Sequence, residues 1–205
     1  LGTAMLWFGW FGFNAGSALA SSEVAALAFL NSQIAASFGA FIWFFMSWGH
    51  VGKPQLLPFC VGAIAGLATI TPCAGFVTPQ AAMLIGLVAG SACYGCVYLI
   101  KAKQVDDALD VFGVHGMGGV IGTILLGVFS TKAVNPGGAD GLLAGGGSSL
   151  LMTQVSAVLG CSLFAFVVSF VLLKAVNAIT TIKVPSYIQD KDLDAALHQE
   201  KAYMD

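Results

Sequence analysis

The sequence contains no arginine and very little charge of either sign. Only 9% of its 205 residues are charged, whereas 58% are hydrophobic. Ordinary soluble domains carry charge on about a quarter of their residues. This scarcity of charge excludes a soluble globular domain and predicts an integral membrane protein. The net charge of −2 also gives no reason to expect nucleic-acid binding.

Six apolar stretches are long enough to be considered as membrane spans, at residues 1–20, 24–48, 57–70, 81–100, 111–129 and 150–176. The third is short for a bilayer of about 30 Å. We expect it to continue into the irregular TPCAGFVTP, where surrounding protein must shelter the free backbone groups. The sequence thus predicts an all-α, six-span membrane domain over 1–179 and a polar tail over 180–205. The chain opens inside an apolar run without a starting methionine, which predicts a truncated N-terminus.

The lysines predict the orientation of these spans. In a six-span topology one side of the membrane carries five of them, Lys53, Lys101, Lys103, Lys174 and Lys183, and the other side carries Lys132. Cytoplasmic loops are enriched in basic residues. Both termini are therefore predicted to lie in the cytoplasm, in a protein of the plasma (inner) membrane.

Glycine and cysteine point to packing rather than chemistry. Glycine reaches 26 residues, and G-x-x-x-G occurs as Gly12/Gly16, Gly62/Gly66, Gly86/Gly90 and Gly118/Gly122. Such motifs favour close helix approach, so the sequence predicts four packing faces. The Gly-rich segment 130–149 is predicted to be a flexible loop. The five cysteines are predicted to be inert buried thiols, and neither a metal site nor a cofactor is expected.

His115 is the ionisable residue that stands out inside a span. Ionisable groups at membrane depth are costly and often mark a pathway, although a lone histidine can also be a satisfied core residue. Three acids, Asp106, Asp107 and Asp110, precede the same helix. Asp110 is expected to cap its N-terminus, where the helix dipole favours an anion.

The first span carries aromatic residues with two possible roles. Trp10, Phe13 and Ser17 fall on one helical face because they are spaced by three and four residues. Aromatic rings with a hydroxyl could bind a small cation by cation–π attraction. An interfacial aromatic belt explains the rings equally simply, and the spacing alone favours the belt. His50 and His198 are expected to be ordinary solvated residues.

Five motifs together resemble the second half of an ammonium transporter of the Amt/Mep/Rh family. They are GTAMLWFGWFGFNAGSA from Gly2, AALAFLNS from Ala25, GAIAGLATITPCAGFV from Gly62, DDALDVFGVHGMGG from Asp106 and DLDAALHQEKAY from Asp192. The resemblance implies helices six to eleven of an eleven-helix inverted-repeat fold. In such transporters the pathway runs between the two repeats. This chain would then supply one wall of it.

The resemblance also implies roles for individual residues. His115 matches one of two contacting pore histidines, whose partner would lie before residue 1. Phe13 matches one of two stacked rings that close the outer mouth. The remaining matches are vestibule or pore lining at Ser17 and Trp10, apolar lining at Leu6 and Val111, and a structural acid of the pore helix at Asp110.

The function implied is recruitment of ammonium outside, its deprotonation, and conduction of ammonia past the pore histidine. An ammonium sensor that signals through its cytoplasmic tail remains an alternative, since it would share the same residues. An enzyme is not expected, because no G-x-S-x-G or comparable nucleophile pairing lies near His115.

The partners implied are the lipid bilayer, a homotrimer and a PII-type regulator at the tail. Composition favours a disordered tail, whereas the resemblance favours a docking segment in which Gln199 replaces a glycine and loses a tight turn. The tail carries alternating charges, including Asp190, Lys191, Asp192 and Lys201. These would let it dock on the loops that contain Lys53 and Lys101/Lys103.

Overall fold

The computed structural model describes residues 1–189 and 193–200, and within those ranges the chain forms helices and no strand. The fold is therefore all-α, as predicted. The α-helices are α1 (Gly2–Gly16), α2 (Glu23–Val51), α3 (Leu56–Ile70), α4 (Pro79–Ala102), α5 (Met117–Phe129), α6 (Ser149–Ile179) and the short α7 (Ser186–Gln189). A π-helix, Phe112–Gly116, runs directly into α5, and a second one covers Asp194–His198.

Within the described residues, four helical segments are long and apolar enough to cross a membrane: α2, α4, Phe112–Phe129 and α6. Helix α3 is apolar but has 15 residues, and α1 has the same length. The six predicted stretches thus coincide with helices, although the six-span topology itself stays a prediction. By contact the chain divides into Leu1–Val158 and Leu159–Asp205, with the division inside α6.

The core of the first unit is a tight packing of α2, α3 and α4 through small residues. A Cβ added at Gly66 would lie 2.2 Å from the carbonyl oxygen of Ala35, and one at Gly90 would lie 2.7 Å from that of Gly39. At Gly122, in α5, the added Cβ would lie 2.0 Å from the carbonyl oxygen of Thr69. No side chain fits at these separations, so backbone packs directly on backbone.

The glycine predictions are therefore confirmed for three motifs, whereas the fourth, Gly12/Gly16, has no neighbour in the described chain that tests it. Gly62/Gly66, Gly86/Gly90 and Gly118/Gly122 all face close neighbours. A Cβ at Gly12 or Gly16 would meet no atom of the described chain within 4 Å. Sequence spacing places small residues on one helical face but does not show what that face meets.

The segment 71–77 between α3 and α4 is irregular, and its backbone groups find partners inside the protein. Asn31, fully buried on α2, donates from Nδ2 to the carbonyls of Ala74 and Val77 at 2.8 Å each. Asn135 donates to the carbonyl of Gly75 at 3.0 Å. The prediction that protein shelters this segment is confirmed, and the sheltering residue on α2 is Asn31.

The loop 130–148 is tied together by hydrogen bonds, in contrast to the flexible loop predicted. Ser130 Oγ donates to the carbonyl of Ala139 at 2.7 Å, and the amide of Lys132 donates to Asp140 Oδ1 at 2.8 Å. The amide of Thr131 donates to the carbonyl of Phe76 at 2.9 Å, which joins the loop to segment 71–77. The glycine content of this loop indicated a flexible backbone, but hydrogen bonds of the polar residues between the glycines fix its conformation.

In the second unit, the π-helix Asp194–His198 ends at Gln199, whose φ of 57° is left-handed. The expectation that glutamine at this position loses the tight turn is wrong, because the backbone adopts the turn with a side chain present. The charged positions Asp190, Lys191, Asp192 and Lys201 lie outside the described residues, and docking of the tail stays a prediction.

Candidate functional site

His115 lies in the π-helix Phe112–Gly116, at the start of the Phe112–Phe129 span. A π-turn adds one residue to the ordinary helical turn and is frequent at functional sites. The imidazole is exposed, whereas its neighbour Val114 is 3% exposed and belongs to the core. The site residue thus stands on the open side of a helix whose opposite side is packed.

Asp107 holds the beginning of this π-helix. Its carboxylate accepts hydrogen bonds from the amides of Val111, Phe112 and Gly113 at 2.8, 3.0 and 3.3 Å. The predicted cap at Asp110 is wrong, since three residues earlier the chain already supplies the acceptor. A carboxylate at this position satisfies amides that have no partner within the helix.

Asp110 has a different set of interactions. It adopts a positive φ of 54°, and its carboxylate forms an ion pair of 3.0 Å with Lys101 at the end of α4. The ion pair joins α4 to the segment that leads into the π-helix. A structural role for Asp110 at the pore helix stays a prediction, and this contact is what supports it.

Trp10 on α1 lies directly against His115. The two rings are nearly parallel, at 7°, with centroids 6.1 Å apart. Trp10 also contacts the edge of Phe13, with centroids 6.2 Å apart at 78°. The structure therefore brings Trp10 and Phe13, three positions apart on α1, into one row of rings with His115, which is about a hundred positions later in the sequence.

A pocket of about 350 Å³ opens on this side of α1 and is lined by Met5, Leu6, Gly9, Trp10 and Phe13. Leu6 is 51% exposed and Phe13 is 63% exposed, so the wall of the pocket is apolar and open. Val111 is also 51% exposed but is not part of this lining. Among the predicted apolar positions, Leu6 joins the pocket beside the rings.

Ser17 ends α1 next to a second pocket, of about 280 Å³, which it lines together with Phe13, Asn14 and Thr71. Its hydroxyl donates to the carbonyl of Phe13, one turn earlier. Phe13 lines both pockets and stands between them.

His50 is exposed, as expected of a solvated residue, but it also contacts two aromatic rings. Its Nδ1 lies 2.5 Å from the hydroxyl of Tyr94, and its ring lies nearly parallel to those of Tyr94 and Tyr98. The aromatic rings of α4 thus hold the C-terminal turn of α2. Tyrosines four residues apart on α4 were the sequence signal for this cluster.

Sequence reasoning also missed Thr71 and Asn31, which have no charge and lie inside two of the quoted motifs, GAIAGLATITPCAGFV and AALAFLNS, without being singled out there. Thr71 Oγ1 accepts a hydrogen bond from Trp10 Nε1 at 2.8 Å. A polar residue inside an apolar helix, such as Asn31, was the available signal, because a buried amide needs partners. All five cysteines are free thiols. Residues 1–189 and 193–200 contain no group of three or more His, Cys, Asp or Glu placed to hold a metal.

The architecture and the exposed apolar surface define a helical integral membrane protein, and comparison with known proteins gives its family. The sequence model of the Ammonium Transporter Family matches residues 1–203. The ammonium transporter of Bacillus subtilis strain 168 is 46% identical over 206 residues, covering 100% of this chain and 51% of the relative. The chain therefore belongs to the ammonium transporter family, and it spans about half the length of the curated relatives it matches.

Solved structures agree with this assignment. The structure of Mep2 from Candida albicans has a TM-score of 0.82 and 32% sequence identity, covering 98% of this chain and 45% of that chain. A structure named Sensor Amt Protein has a TM-score of 0.83 and 30% identity, covering 96% of this chain and 47% of that chain. The fold is accordingly that of Amt and Mep2 proteins.

Proposed function

We propose that this chain forms one wall of a transmembrane pathway for ammonium and ammonia, with His115 facing the pathway. The observation that carries the proposal is the exposed His115 ring lying parallel to Trp10, in line with Phe13, on a chain of the ammonium transporter family. Leu6 and Val111 supply apolar lining, and Ser17 with Trp10 lines the approach. The relatives are named ammonium transporters, which supports the substrate.

The physical chemistry of the substrate agrees with an apolar wall that carries one imidazole. Ammonium as an ion pays a large desolvation cost in a low-dielectric passage, whereas ammonia is neutral and enters at small cost. A selective pathway therefore binds the cation outside, removes its proton and conducts the base. A neutral imidazole offers one donor and one acceptor, so His115 could hold ammonia or relay the proton.

Entry would take place on the Ser17 side of Phe13. The hydroxyl and the aromatic ring lie at one pocket of about 280 Å³, on the side of α1 that ends at Gly16. An aromatic face attracts a cation while it is still partly hydrated. Phe13 would then have to move for ammonia to pass to Trp10 and His115.

The surrounding assembly follows the family. We propose a homotrimer in the plasma membrane with one pathway in each subunit and a cytoplasmic C-terminus, in line with the lysine distribution. A PII-type regulator is the expected partner of the tail at that face. A mass measurement of the complete protein in detergent that gives a monomer or dimer would reject the trimer.

The test of transport is uptake by the complete protein reconstituted in liposomes. An inward ammonium gradient should change the internal pH or deliver labelled methylammonium much faster than in empty liposomes, whereas potassium should not enter. Liposomes that hold the protein but take up ammonium no faster than empty ones contradict transport.

The likeness to a sensor Amt structure favours one second candidate, an ammonium sensor. A sensor would bind ammonium at the same rings but would signal through its tail rather than sustain flux. Deletion of 190–205 in the complete protein separates the two functions. A transporter should insert normally and change its uptake or its regulation, whereas a sensor should lose an ammonium-dependent cellular response and show no uptake before or after the deletion.

A further inference from the structure

We propose that Thr71 is a positioning residue, which holds the Trp10 indole parallel to the His115 ring and keeps the indole N–H occupied by a hydrogen bond. The inference rests on the proposed function, in which these two rings line the pathway. It concerns a residue that does not contact His115 and acts through Trp10.

The hydroxyl of Thr71 has both of its hydrogen-bonding directions defined. It donates to the carbonyl of Leu67 at 2.7 Å and accepts from Trp10 Nε1 at 2.8 Å. Because the donated bond fixes the hydroxyl hydrogen, a lone pair is left facing the indole. In this hydrogen bond Trp10 is therefore the donor and Thr71 is the acceptor.

Thr71 is half-buried and is itself held by backbone hydrogen bonds. It follows α3 directly, and its amide donates to the carbonyl of Leu67 at 3.2 Å. Asn31 holds the next turns of the same segment through the carbonyls of Ala74 and Val77. The acceptor for Trp10 thus belongs to a segment attached to the most buried part of the protein.

The two tryptophans of α1 that follow one another by a turn differ in whether the indole N–H has a hydrogen-bond acceptor. Trp7 is one turn before Trp10, and its buried Nε1 has no hydrogen-bond partner in the part of the chain that the structure describes. Trp10 has Thr71 and also lies against His115, with ring planes 7° apart. The partnered indole is the one beside the pathway histidine.

The hydrogen bond has a consequence for conduction. With its N–H bound to Thr71, Trp10 presents a ring face with no free donor next to His115. Without the bond, the indole could rotate and place an N–H donor in the passage, where ammonia would accept it. A bound ammonia leaves more slowly, so we expect a lower maximal rate with an unchanged or lower KM. A neutral hydrogen bond corresponds to roughly a three- to tenfold effect.

The experiment compares Thr71→Val with Thr71→Ser in the complete protein, reconstituted in liposomes and supplied with ammonium chloride. Valine keeps the branched shape and removes the hydroxyl, whereas serine keeps the hydroxyl and removes the methyl group. The rate for each variant is divided by the amount of folded protein. We expect the valine variant to lose maximal rate several-fold and the serine variant to remain close to the wild type. Thr71→Ala replaces the valine variant if that protein does not fold.

A spectroscopic measurement tests the same bond without transport. The ultraviolet resonance Raman difference between the wild type and Trp10→Phe isolates the Trp10 indole, and its N–H band should show a hydrogen-bonded donor. Thr71→Val should shift that band toward a free N–H, and Thr71→Ser should not. A free N–H in the wild type overturns the proposal.

The transport results can also overturn it. Equal rates in all variants contradict positioning, and so does a loss shared equally by the valine and serine variants, because such a loss does not follow the hydroxyl. If the complete wild-type protein moves no ammonium, the proposed function fails, whereas the Raman measurement still decides whether Thr71 holds Trp10.

Discussion

Helices α1 and α3 both have 15 residues, and they use them in opposite ways. Helix α3 buries an unbroken run, Gly62–Ile70, whereas α1, all of whose residues are described, buries Asn14 alone. The glycines of α3 contact the backbone of α2. A Cβ added at Gly12 or Gly16 of α1 would meet no neighbouring atom of the described chain within 4 Å. The same sequence motif thus serves a packed scaffold in one helix and an open, ring-bearing face in the other.

This difference explains how the site is held. The exposed rings of α1 and the π-helix need exact placement, but they have little packing of their own. Placement comes from polar anchors, which are the buried Asn31, the half-buried Thr71 and the half-buried Asp107 before the π-helix. Backbone packing through glycine supplies the rigid frame for these anchors. We therefore expect substitutions in the scaffold to affect folding, and substitutions in the open face to affect conduction.

The largest effect on folding should come from Gly66→Ala. The new Cβ would lie 2.2 Å from the carbonyl oxygen of Ala35, so the two helices must separate. Overpacking usually costs about 1–3 kcal/mol, and a backbone clash belongs at or above the upper end. The measurement is the yield and thermal stability of the complete protein in detergent. Gly12→Ala is the matched control, and a loss as large in the control as at Gly66 would remove the distinction between the helices.

A loss of similar size should follow Asn31→Leu, which keeps the size of the side chain and removes the amide. The carbonyls of Ala74 and Val77 would lose buried donors, at a cost of about 1–3 kcal/mol for each unsatisfied group. Thermal unfolding of the complete protein measures the effect. Gln33→Leu on an exposed position of the same helix is the control and should be nearly neutral. A stable Asn31→Leu protein would mean that segment 71–77 does not depend on this residue.

Asp107→Ala should produce a loss that begins at the π-helix. Three amides would lose their acceptor, and loss of a helix cap costs about 0.5–2 kcal/mol. We expect faster hydrogen exchange at 111–113 together with slower ammonium uptake, because His115 follows on the same turn. Asp106→Ala changes charge equally without removing this cap. Equal exchange rates in the two variants would show that Asp107 does not hold the π-helix.

The smallest effect should come from Gln199→Gly in the tail. A residue other than glycine pays roughly 1–2 kcal/mol in the left-handed region, where Gln199 has a φ of 57°. Glycine removes this cost, so the turn after Asp194–His198 should become more stable by about that amount at most. Hydrogen exchange across this turn measures the gain, with Gln199→Ala as the control that keeps a Cβ. A gain of equal size with alanine would show that the left-handed backbone is not the cause.

Much of the fold could be predicted from local sequence. The six apolar stretches coincide with helices, and the irregular TPCAGFVTP segment lies where α3 ends, because hydropathy and breaker residues act over short distances. Three glycine motifs were correct for the same reason. The motif in α1 has no neighbour in the described chain, since what a helical face meets depends on residues far away in sequence.

The residues of the candidate site could be predicted from the sequence, but the residues that hold them in place could not. Resemblance identified His115, Trp10 and Phe13, and the structure places the three rings together. The cap at Asp107 rather than Asp110 accompanies a positive φ at Asp110, a conformation that aspartate adopts more readily than most residues but that hydropathy patterns do not locate. Thr71 could not be predicted, because a threonine beside proline looks like an ordinary turn residue until the fold brings Trp10 to it.

The central claim is that the open face of α1 and the π-helix is the ammonium pathway, and substitution of His115 tests it most directly. Ammonium and potassium uptake should be measured in liposomes with the complete protein, for the wild type, His115→Ala and His50→Ala, each normalised to folded protein. The account predicts that His115→Ala abolishes or grossly alters selective ammonium flux while the protein stays folded, and that His50→Ala retains selectivity. Unchanged flux and selectivity in folded His115→Ala would contradict the account.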